Sequence, residues 1–200
     1  MNEAIFETVI TTCSAAGAVH IAPMGVRYVD GPDGARVVLK PFRPSTTLDN
    51  LLATRSAVLN LTTDVRVFAG CVTGRRHWPT LRVDRPDEPR AVRLASALEH
   101  VLLRVETVED DPERATLALA VVRAEQHASF RGFNRAQAAV IEGAVLVSRL
   151  RMLPADKVAT EMRYLQIAID RTAGEPEREA WQWLQDAVRA HAAGLERAAA

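Results

Sequence analysis

The sequence predicts an α+β fold in which an antiparallel β-rich domain, residues 1–125, is followed by a C-terminal helical unit, residues 126–200. Up to residue 125, short runs that alternate apolar and polar residues are separated by turn signals, which is typical of strands. After residue 126 the apolar residues recur at the spacing of helices. The composition, with 48% hydrophobic and 25% charged residues, is that of a globular protein and excludes disorder for most of the chain.

The beginning of the β-rich domain predicts a small antiparallel meander. Residues 5–12 alternate as a strand does. We expect the next extended segment, residues 18–29, to be broken or bent at Pro23, because proline cannot donate to a strand ladder. The DGPDG segment at residues 30–34 is a dense turn signal, and residues 35–40 return as the hairpin partner.

A short helix is predicted over residues 48–55. Ser45, Thr46 or Thr47 can cap its first turn, where the helix dipole also favours Asp49. The rest of the domain is predicted as a strand at 56–62, a helical turn at 64–73, a long surface loop at 74–90 with one short strand at most, and strands at 100–108 and 114–124.

Three helices are predicted in the C-terminal unit. The first covers residues 135–150 and is mostly apolar, and the third begins at Pro176 and carries Trp181 and Leu184 on one face. The second covers residues 155–172, and its single apolar stripe consists of Val158, Met162, Leu165 and Ile169.

The net charge, the first residues and the lengths of the apolar stretches argue against nucleic-acid binding, secretion and membrane insertion. The formal net charge is zero, so the chain lacks the basic surplus that non-specific nucleic-acid binding needs. The first residues have no basic region of a secretory signal, and no stretch reaches the roughly 18 apolar residues of a membrane span. We therefore expect a cytoplasmic protein with no nucleic-acid or membrane partner. Cys13 and Cys71 have no metal-ligand spacing, so no metal site is predicted.

The common catalytic motifs are absent from the sequence, which contains no GxGxxG, GxxxxGK[ST], HExxH or GxSxG pattern. No catalytic residues are predicted. Three segments remain that could bind a ligand, and each also has a purely structural interpretation: HIAPMGVR at 20–27, KPFRPSTTLDN at 40–50 and NLTTD at 60–64.

In the first segment, Pro23 and Gly25 could expose the backbone to a planar heterocycle, or could mark a bent strand or bulge. In the second, three hydroxyls, Arg43 and the N–H groups of a helix start suit a phosphate, or form a plain N-cap. In the third, Asn60, Thr62 and Asp64 could line a pocket from one side of a strand end, or form an Asx or ST turn.

The order and spacing of these segments resemble an FMN-binding split β-barrel family. Its relatives are the flavin-reductase-like and pyridoxamine-phosphate-oxidase-like barrels. The resemblance is strongest to a family of unassigned function from archaea and methylotrophic bacteria, which is linked there to tetrahydromethanopterin-dependent C1 metabolism and carries a C-terminal helical domain. It covers residues 3–185, is weakest in the loop at 74–90, and extends into the helical domain through FNR at 133–135 and IEGAVLVSRL at 141–150.

The resemblance implies roles for individual residues. Backbone groups of Pro23, Met24 and Gly25 would face the isoalloxazine ring. The phosphate would be held near Arg43 by Ser45, Thr46 or Thr47, together with Asn50. Asn60 and Asp64 would line the ribityl or ring side. Two further arginines, Arg135 and Arg149, would either complete an anion site or form ion pairs at a domain interface, while the roles of His20 and Trp78 stay open.

The resemblance implies FMN as cofactor and a homodimer with the flavin near the subunit interface. A small barrel has little interior volume, so a tricyclic ring is held more easily on its outer surface, against a second wall. Three functions stay in competition: a flavin-dependent oxidoreductase of unknown substrate, a non-catalytic flavin- or heterocycle-binding module, and a flavin-free interaction scaffold. The loop at 74–90 is a candidate lid or cross-subunit contact.

Overall fold

The fold was analysed in a computed structural model that describes residues 4–31, 34–85 and 88–199. The chain divides into two compact units. The first contains Met1–Thr63 and His77–Phe130, and the second contains Asp64–Arg76 and Arg131–Ala200. Eight strands lie in the described part of the first unit: β1 Phe6–Cys13, β2 Val19–Gly31, β3 Gly34–Leu39, β4 Ser56–Leu61, β5 Thr80–Arg82, β6 Val92–Leu94, β7 Glu99–Glu109 and β8 Thr116–Gln126.

Six of these strands close into an antiparallel barrel in the order β1-β2-β3-β8-β7-β4. Alternate side chains of each strand point inward, and helix α1, Thr46–Thr54, adds Leu48 and Leu51 to the same apolar cluster. The fully buried members of the barrel core include Ile10, Val26, Leu39, Leu59, Leu103, Leu117 and Leu119. The interior is therefore filled by the barrel's own side chains, as expected of a small barrel.

The predicted break at Pro23 is wrong, because β2 continues through it from Val19 to Gly31. Pro23 pairs with Val9 of β1, whereas the ladder between β2 and β3 begins only at Val26. Near Pro23 the strand thus has one neighbour, and proline's missing N–H costs nothing at a free edge.

The predicted loop at 74–90 contains one short strand, β5, as its composition allowed. Its strand β5 pairs with β6, which was not predicted, to form a small two-stranded sheet. Val83 and Ala91 pack on Val58 and Leu102 of the barrel wall, and the Thr11 hydroxyl donates to the Val92 carbonyl. This segment therefore covers part of the outer barrel surface, which periodicity in the sequence alone could not reveal.

The second unit consists of helices within the described residues, with these bounds: α2 Arg66–Val72, α3 Arg135–Ser148, α4 Ala155–Thr172 and α5 Glu175–Ala199. Helix α2 packs on both α3 and α5. In the predicted stripe of α4, Val158, Met162 and Ile169 are buried and Leu165 is half-buried; Trp181 and Leu184 are buried on α5. None of the helices in the described part of the chain combines the length and apolar character needed to cross a bilayer.

Gly143 of α3 allows α5 to approach closely, and Gly143→Ala should lower the free energy of unfolding by about 1–3 kcal/mol. A Cβ atom at residue 143 would lie 2.8 Å from Cζ3 of Trp181 and 3.0 Å from Cδ1 of Leu184. Urea denaturation measures the change. Gly194→Ala is the matched control, since a Cβ there meets nothing within 4 Å and alanine should stabilise the helix by up to about 1 kcal/mol. Equal gains in both variants would contradict this packing.

Candidate functional site

The start of α1 forms the cluster of hydroxyls that the sequence predicted. Ser45 is the N-cap, with extended backbone, and its Oγ accepts a hydrogen bond from the Leu48 N–H at 3.2 Å. This bond uses a lone pair of the Ser45 hydroxyl, so its proton stays available to a ligand oxygen. Thr46 is exposed, whereas Thr47 is 1% exposed. The first N–H groups of a helix have no intrahelical acceptor, and with the hydroxyls they suit an anion.

Asn50 lies one turn into α1 and faces the barrel. Its Nδ2 donates to Oγ1 of Thr12 at 3.0 Å, and both side chains are buried. This bond ties α1 to the end of β1, next to the hydroxyl cluster. Thr12 was not predicted as a site residue, although the pair of threonines that ends the apolar alternation of β1 was a signal for it.

Arg43 precedes the hydroxyl cluster, and its guanidinium is engaged by the turn between β7 and β8. Its Nη2 donates to Oδ1 of Asp110 at 2.5 Å, and its Nε donates to the Asp111 carbonyl at 3.1 Å. The side chain is 34% exposed, so solvent screens the ion pair.

Pro23, Met24 and Gly25 lie in the middle of β2. The carbonyl of Met24 accepts a hydrogen bond from the Thr8 hydroxyl at 2.9 Å. A Cβ atom at residue 25 would lie 2.9 Å from Cγ2 of Ile5. The Ile5 side chain therefore occupies the space beside the backbone that the missing side chain of Gly25 leaves open.

Asn60 is completely buried and connects β4 to β1 of the barrel and to β6 of the two-stranded sheet. Its Nδ2 lies 3.0 Å from the Val9 carbonyl and 3.2 Å from the Val58 carbonyl, and its Oδ1 accepts from the Leu94 N–H at 2.7 Å. The Thr11 hydroxyl oxygen is a further acceptor at 3.3 Å. The polar groups of Asn60 are thus hydrogen-bonded to neighbouring segments of this chain.

Asp64 lies in the second unit, beyond the end of β4 at Leu61. Its carboxylate forms a two-pronged ion pair with Arg66, at 2.8 Å and 2.9 Å, and Arg66 also reaches Glu179 at 3.5 Å. The hydrogen bond from Asp64 raises the pKa of Arg66 above its usual value. The strand end itself therefore carries Asn60 but not Asp64.

The two arginines of the helical unit cannot share one anion. Arg135 is the first residue of α3 and Arg149 is its C-cap, so they lie about 20 Å apart along the helix axis at about 1.5 Å per residue. In the barrel, the half-buried His20 pairs in register with Thr12, and Trp78 is half-buried before β5.

A pair of histidines lies where β7 begins and β8 ends. Nδ1 of His100 and Nε2 of His127 are 2.7 Å apart, and the rings are stacked. His100 is 2% exposed, and its buried Nε2 has no hydrogen-bond partner among the residues that the structure describes. Nothing in the sequence indicated this pair, since the two residues are 27 positions apart.

This pair should make the barrel less stable in acid. Burial and the neighbouring His127 lower the pKa of His100, as do Arg93 and Arg123, while Glu125 opposes them. An unfolded histidine binds its proton near pH 6.5, roughly, whereas folded His100 does so only at lower pH, so the free energy of unfolding should fall as pH drops below about 6.5. Denaturation at pH 7.5 and 5.5 measures this fall. His100→Leu should reduce it, and His77→Gln, at an exposed histidine, should not. An unchanged fall in His100→Leu would contradict the assignment.

Two adjoining cavities, of about 280 and 320 Å³, flank the end of β1. Both are lined by Cys13, Pro89, Arg90 and Val92, and Thr12 lines the smaller one. Burial raises the pKa of the Cys13 thiol, which therefore stays protonated at neutral pH. No group of three potential metal-ligating side chains occurs among the residues that the structure describes.

Comparisons with known proteins identify the family of this chain. Residues 6–128 match the N-terminal domain, and residues 134–186 the C-terminal part, of a family described as "Protein of unknown function (DUF447)". The chain belongs to this family. Among curated proteins, none matches the DUF447 chain in sequence. The predicted family resemblance is confirmed.

Solved structures confirm the predicted α+β split-barrel fold. An FMN-bound DUF447 protein from Methanosarcina mazei is 20% identical, covers 93% of this chain and 96% of its own, and has a TM-score of 0.79. The 2-nitrobenzoate 2-nitroreductase of Pseudomonas fluorescens is 15% identical over 60% of this chain and 64% of its own, with a TM-score of 0.51. An FMN-binding protein from Thermus thermophilus, with bound p-hydroxybenzaldehyde, is 12% identical over 64% and 74%, with a TM-score of 0.53.

Proposed function

We propose that this DUF447 chain binds FMN and is a flavin-dependent oxidoreductase. The observation that carries the proposal is the similarity to the FMN-bound Methanosarcina mazei protein, which extends over both the barrel and the helices. The nitroreductase and the FMN-binding protein share the barrel with this chain, which adds support for flavin chemistry.

The phosphate of FMN is assigned to the start of α1. Ser45 and Thr46 offer hydroxyl donors there, Thr47 adds a third hydroxyl, and the helix start offers N–H groups. A dianionic phosphate also interacts favourably with the positive end of the helix dipole. The donor set present thus fits the group.

The remaining predicted residues are assigned to the walls of the site. The isoalloxazine ring is placed along the backbone of β2 at Pro23, Met24 and Gly25. Asn50 stays assigned to the phosphate and Asn60 to the ribityl or ring side, and both side chains also bond to β1. Arg43 and Asp64 remain candidates for the margin of the site, although both are engaged in ion pairs.

Bound FMN would supply two-electron transfer, while the protein supplies binding, orientation and electrostatics. The chain itself anchors the phosphate at α1 and provides a wall beside the ring that is backed by apolar side chains. The side chains of the apolar cluster under β2, which includes Val26 and partly buried Met24, fill the barrel interior behind that wall.

A homodimer is part of the proposal. The barrel interior is filled, so a tricyclic ring must lie outside it and needs a second wall. Apolar surface is exposed at the start of β1 and on β2 by Ile5, Phe6 and Tyr28. The rings of Phe6 and Tyr28 contact each other edge to face, with their centres 5.4 Å apart. A two-fold dimer would cover such a patch on both subunits. Sedimentation at micromolar concentration tests this: a monomer with one tightly bound FMN would contradict it.

A non-catalytic flavin-binding module is the alternative. It is favoured by the absence of a predicted catalytic residue, and Arg43 and Asp64, which were predicted to bind the cofactor, are engaged in ion pairs. A link to tetrahydromethanopterin-dependent C1 metabolism, and a cytoplasmic location, stay predictions from the sequence.

Repeated reduction and reoxidation of the bound flavin distinguishes the two functions. The FMN-loaded protein is mixed with NADH or NADPH, and then with an electron acceptor such as a nitroaromatic compound. An oxidoreductase should cycle many times per bound flavin, at a rate above that of free FMN. A flavin that stays bound and is reduced no faster than free FMN, by either donor, would favour the module.

A further inference from the structure

We propose that the turn between β7 and β8, residues 110–114, positions the loop that leads into α1, and that Arg43 sets the preference for a phosphorylated flavin through this turn rather than by touching the phosphate. The inference rests on the proposed binding of FMN. The loop comprises residues 40–44 and is called the entry loop below.

Arg43 fixes the entry loop to the turn at three points. Its backbone N–H donates to the Glu113 carbonyl at 2.9 Å. Its Nε donates to the Asp111 carbonyl at 3.1 Å, and its Nη2 pairs with Oδ1 of Asp110 at 2.5 Å. Because both donors along one edge of the guanidinium, Nε and Nη2, are occupied in this way, its orientation is set by the turn.

Arg114 makes the reciprocal connection from the turn to the loop. Its Nε donates to the Lys40 carbonyl at 2.7 Å, and its guanidinium carbon lies 4.2 Å from the centre of the Phe42 ring. An arginine at this distance from an aromatic ring gains a cation–π attraction. The loop is therefore held at both of its ends, at Lys40 and at Arg43.

The turn that provides these contacts is itself ordered by Asp111. Its Oδ1 accepts from the N–H groups of Glu113 and Arg114, at 2.9 Å and 2.7 Å. These backbone hydrogen bonds lower the pKa of the Asp111 carboxyl. A carboxylate that closes a turn in this way is a typical Asx arrangement, and it keeps the carbonyls of the turn in place for Arg43.

The consequence for the ligand follows from chain distance. One residue, Pro44, separates Arg43 from the N-cap Ser45, so a shift of the entry loop moves the first hydroxyl of the proposed phosphate site. A phosphate bound by short hydrogen bonds is sensitive to such a shift, whereas the ring and ribityl chain lie on other elements. Phosphate preference should thus depend on residues that do not touch the phosphate.

The test compares Arg43→Gln, Asp110→Asn and the double variant for binding of FMN and of riboflavin. Each single variant should weaken FMN about three- to tenfold and leave riboflavin unchanged, since exposed ion pairs contribute modestly. The double variant should lose no more than Arg43→Gln alone, because Arg43→Gln already removes the contact with Asp110. Arg104→Gln is the matched control, since it removes the ion pair with Glu88 elsewhere on the barrel.

Hydrogen exchange of the flavin-free protein provides a second readout. Exchange in residues 40–48 should increase in both single variants and not in the control. If Arg43→Gln loses FMN while Asp110→Asn binds it as well as the parent or better, Arg43 is a direct ligand and the proposal is wrong. Unchanged exchange would also overturn it. A parent protein that binds neither flavin would instead contradict the proposed function, and the exchange data would still show whether the turn positions the loop.

Discussion

Replacing Thr46 and Thr47 together by alanine should weaken FMN binding about a hundredfold or more, because each charge-assisted hydrogen bond to the phosphate contributes about 1.5–3 kcal/mol. Riboflavin has no phosphate, so its affinity should change little. Titration of both flavins, followed by flavin fluorescence, measures the two dissociation constants.

Two further variants keep this experiment interpretable. The variant Thr46→Ser with Thr47→Ser keeps both hydroxyls, including that of the buried Thr47, and should retain most of the FMN affinity. Thr54→Ala lies at the other end of the same helix, where its hydroxyl donates to the Asn50 carbonyl, and should affect the two flavins equally. If the double alanine variant loses FMN and riboflavin to the same degree, the phosphate does not lie at the start of α1.

Asn60→Ala should lower the free energy of unfolding by about 3 kcal/mol, because it removes the acceptor of one buried N–H group and a donor from two buried carbonyls. The Leu94 N–H loses its acceptor, and the Val9 and Val58 carbonyls lose a donor. Denaturation in urea measures the change, and the loss of flavin affinity should follow the loss of folded protein.

Thr62→Val is the matched control for this variant. Thr62 lies just beyond the same strand, and its hydroxyl donates to the Ser96 carbonyl at 3.0 Å. The hydrogen bond is exposed, so water can replace the hydroxyl and the cost should stay below about 1 kcal/mol. An Asn60→Ala protein as stable as Thr62→Val would show that Asn60 does not join the barrel wall as described.

Features that depend on local sequence were predictable. A hydroxyl N-cap at Ser45, Thr46 or Thr47 followed from the residues before an apolar run, and the structure has it at Ser45; the stripe of α4 followed from spacing alone. The strands of the barrel followed from alternation and turn signals, although the tip of the turn between β2 and β3 lies outside the described residues.

Features that depend on tertiary partners were not predictable. Whether Pro23 breaks a strand depends on how many neighbours β2 has at that point. The partners of Asn60 on β1, β4 and β6 are such a feature, and its place beside the ligand stays a prediction. The ion pair of Arg43 with Asp110 joins residues 67 positions apart, which no single-sequence pattern indicates.

The binding of FMN by this DUF447 chain is tested most directly by the absorbance spectrum of the purified protein, with mass spectrometry of the molecule released by heat. We expect a yellow protein with a flavin spectrum, and a released molecule with the mass of FMN. A colourless protein that takes up no FMN when it is supplied in excess would contradict FMN binding, as would a released heterocycle without a phosphate.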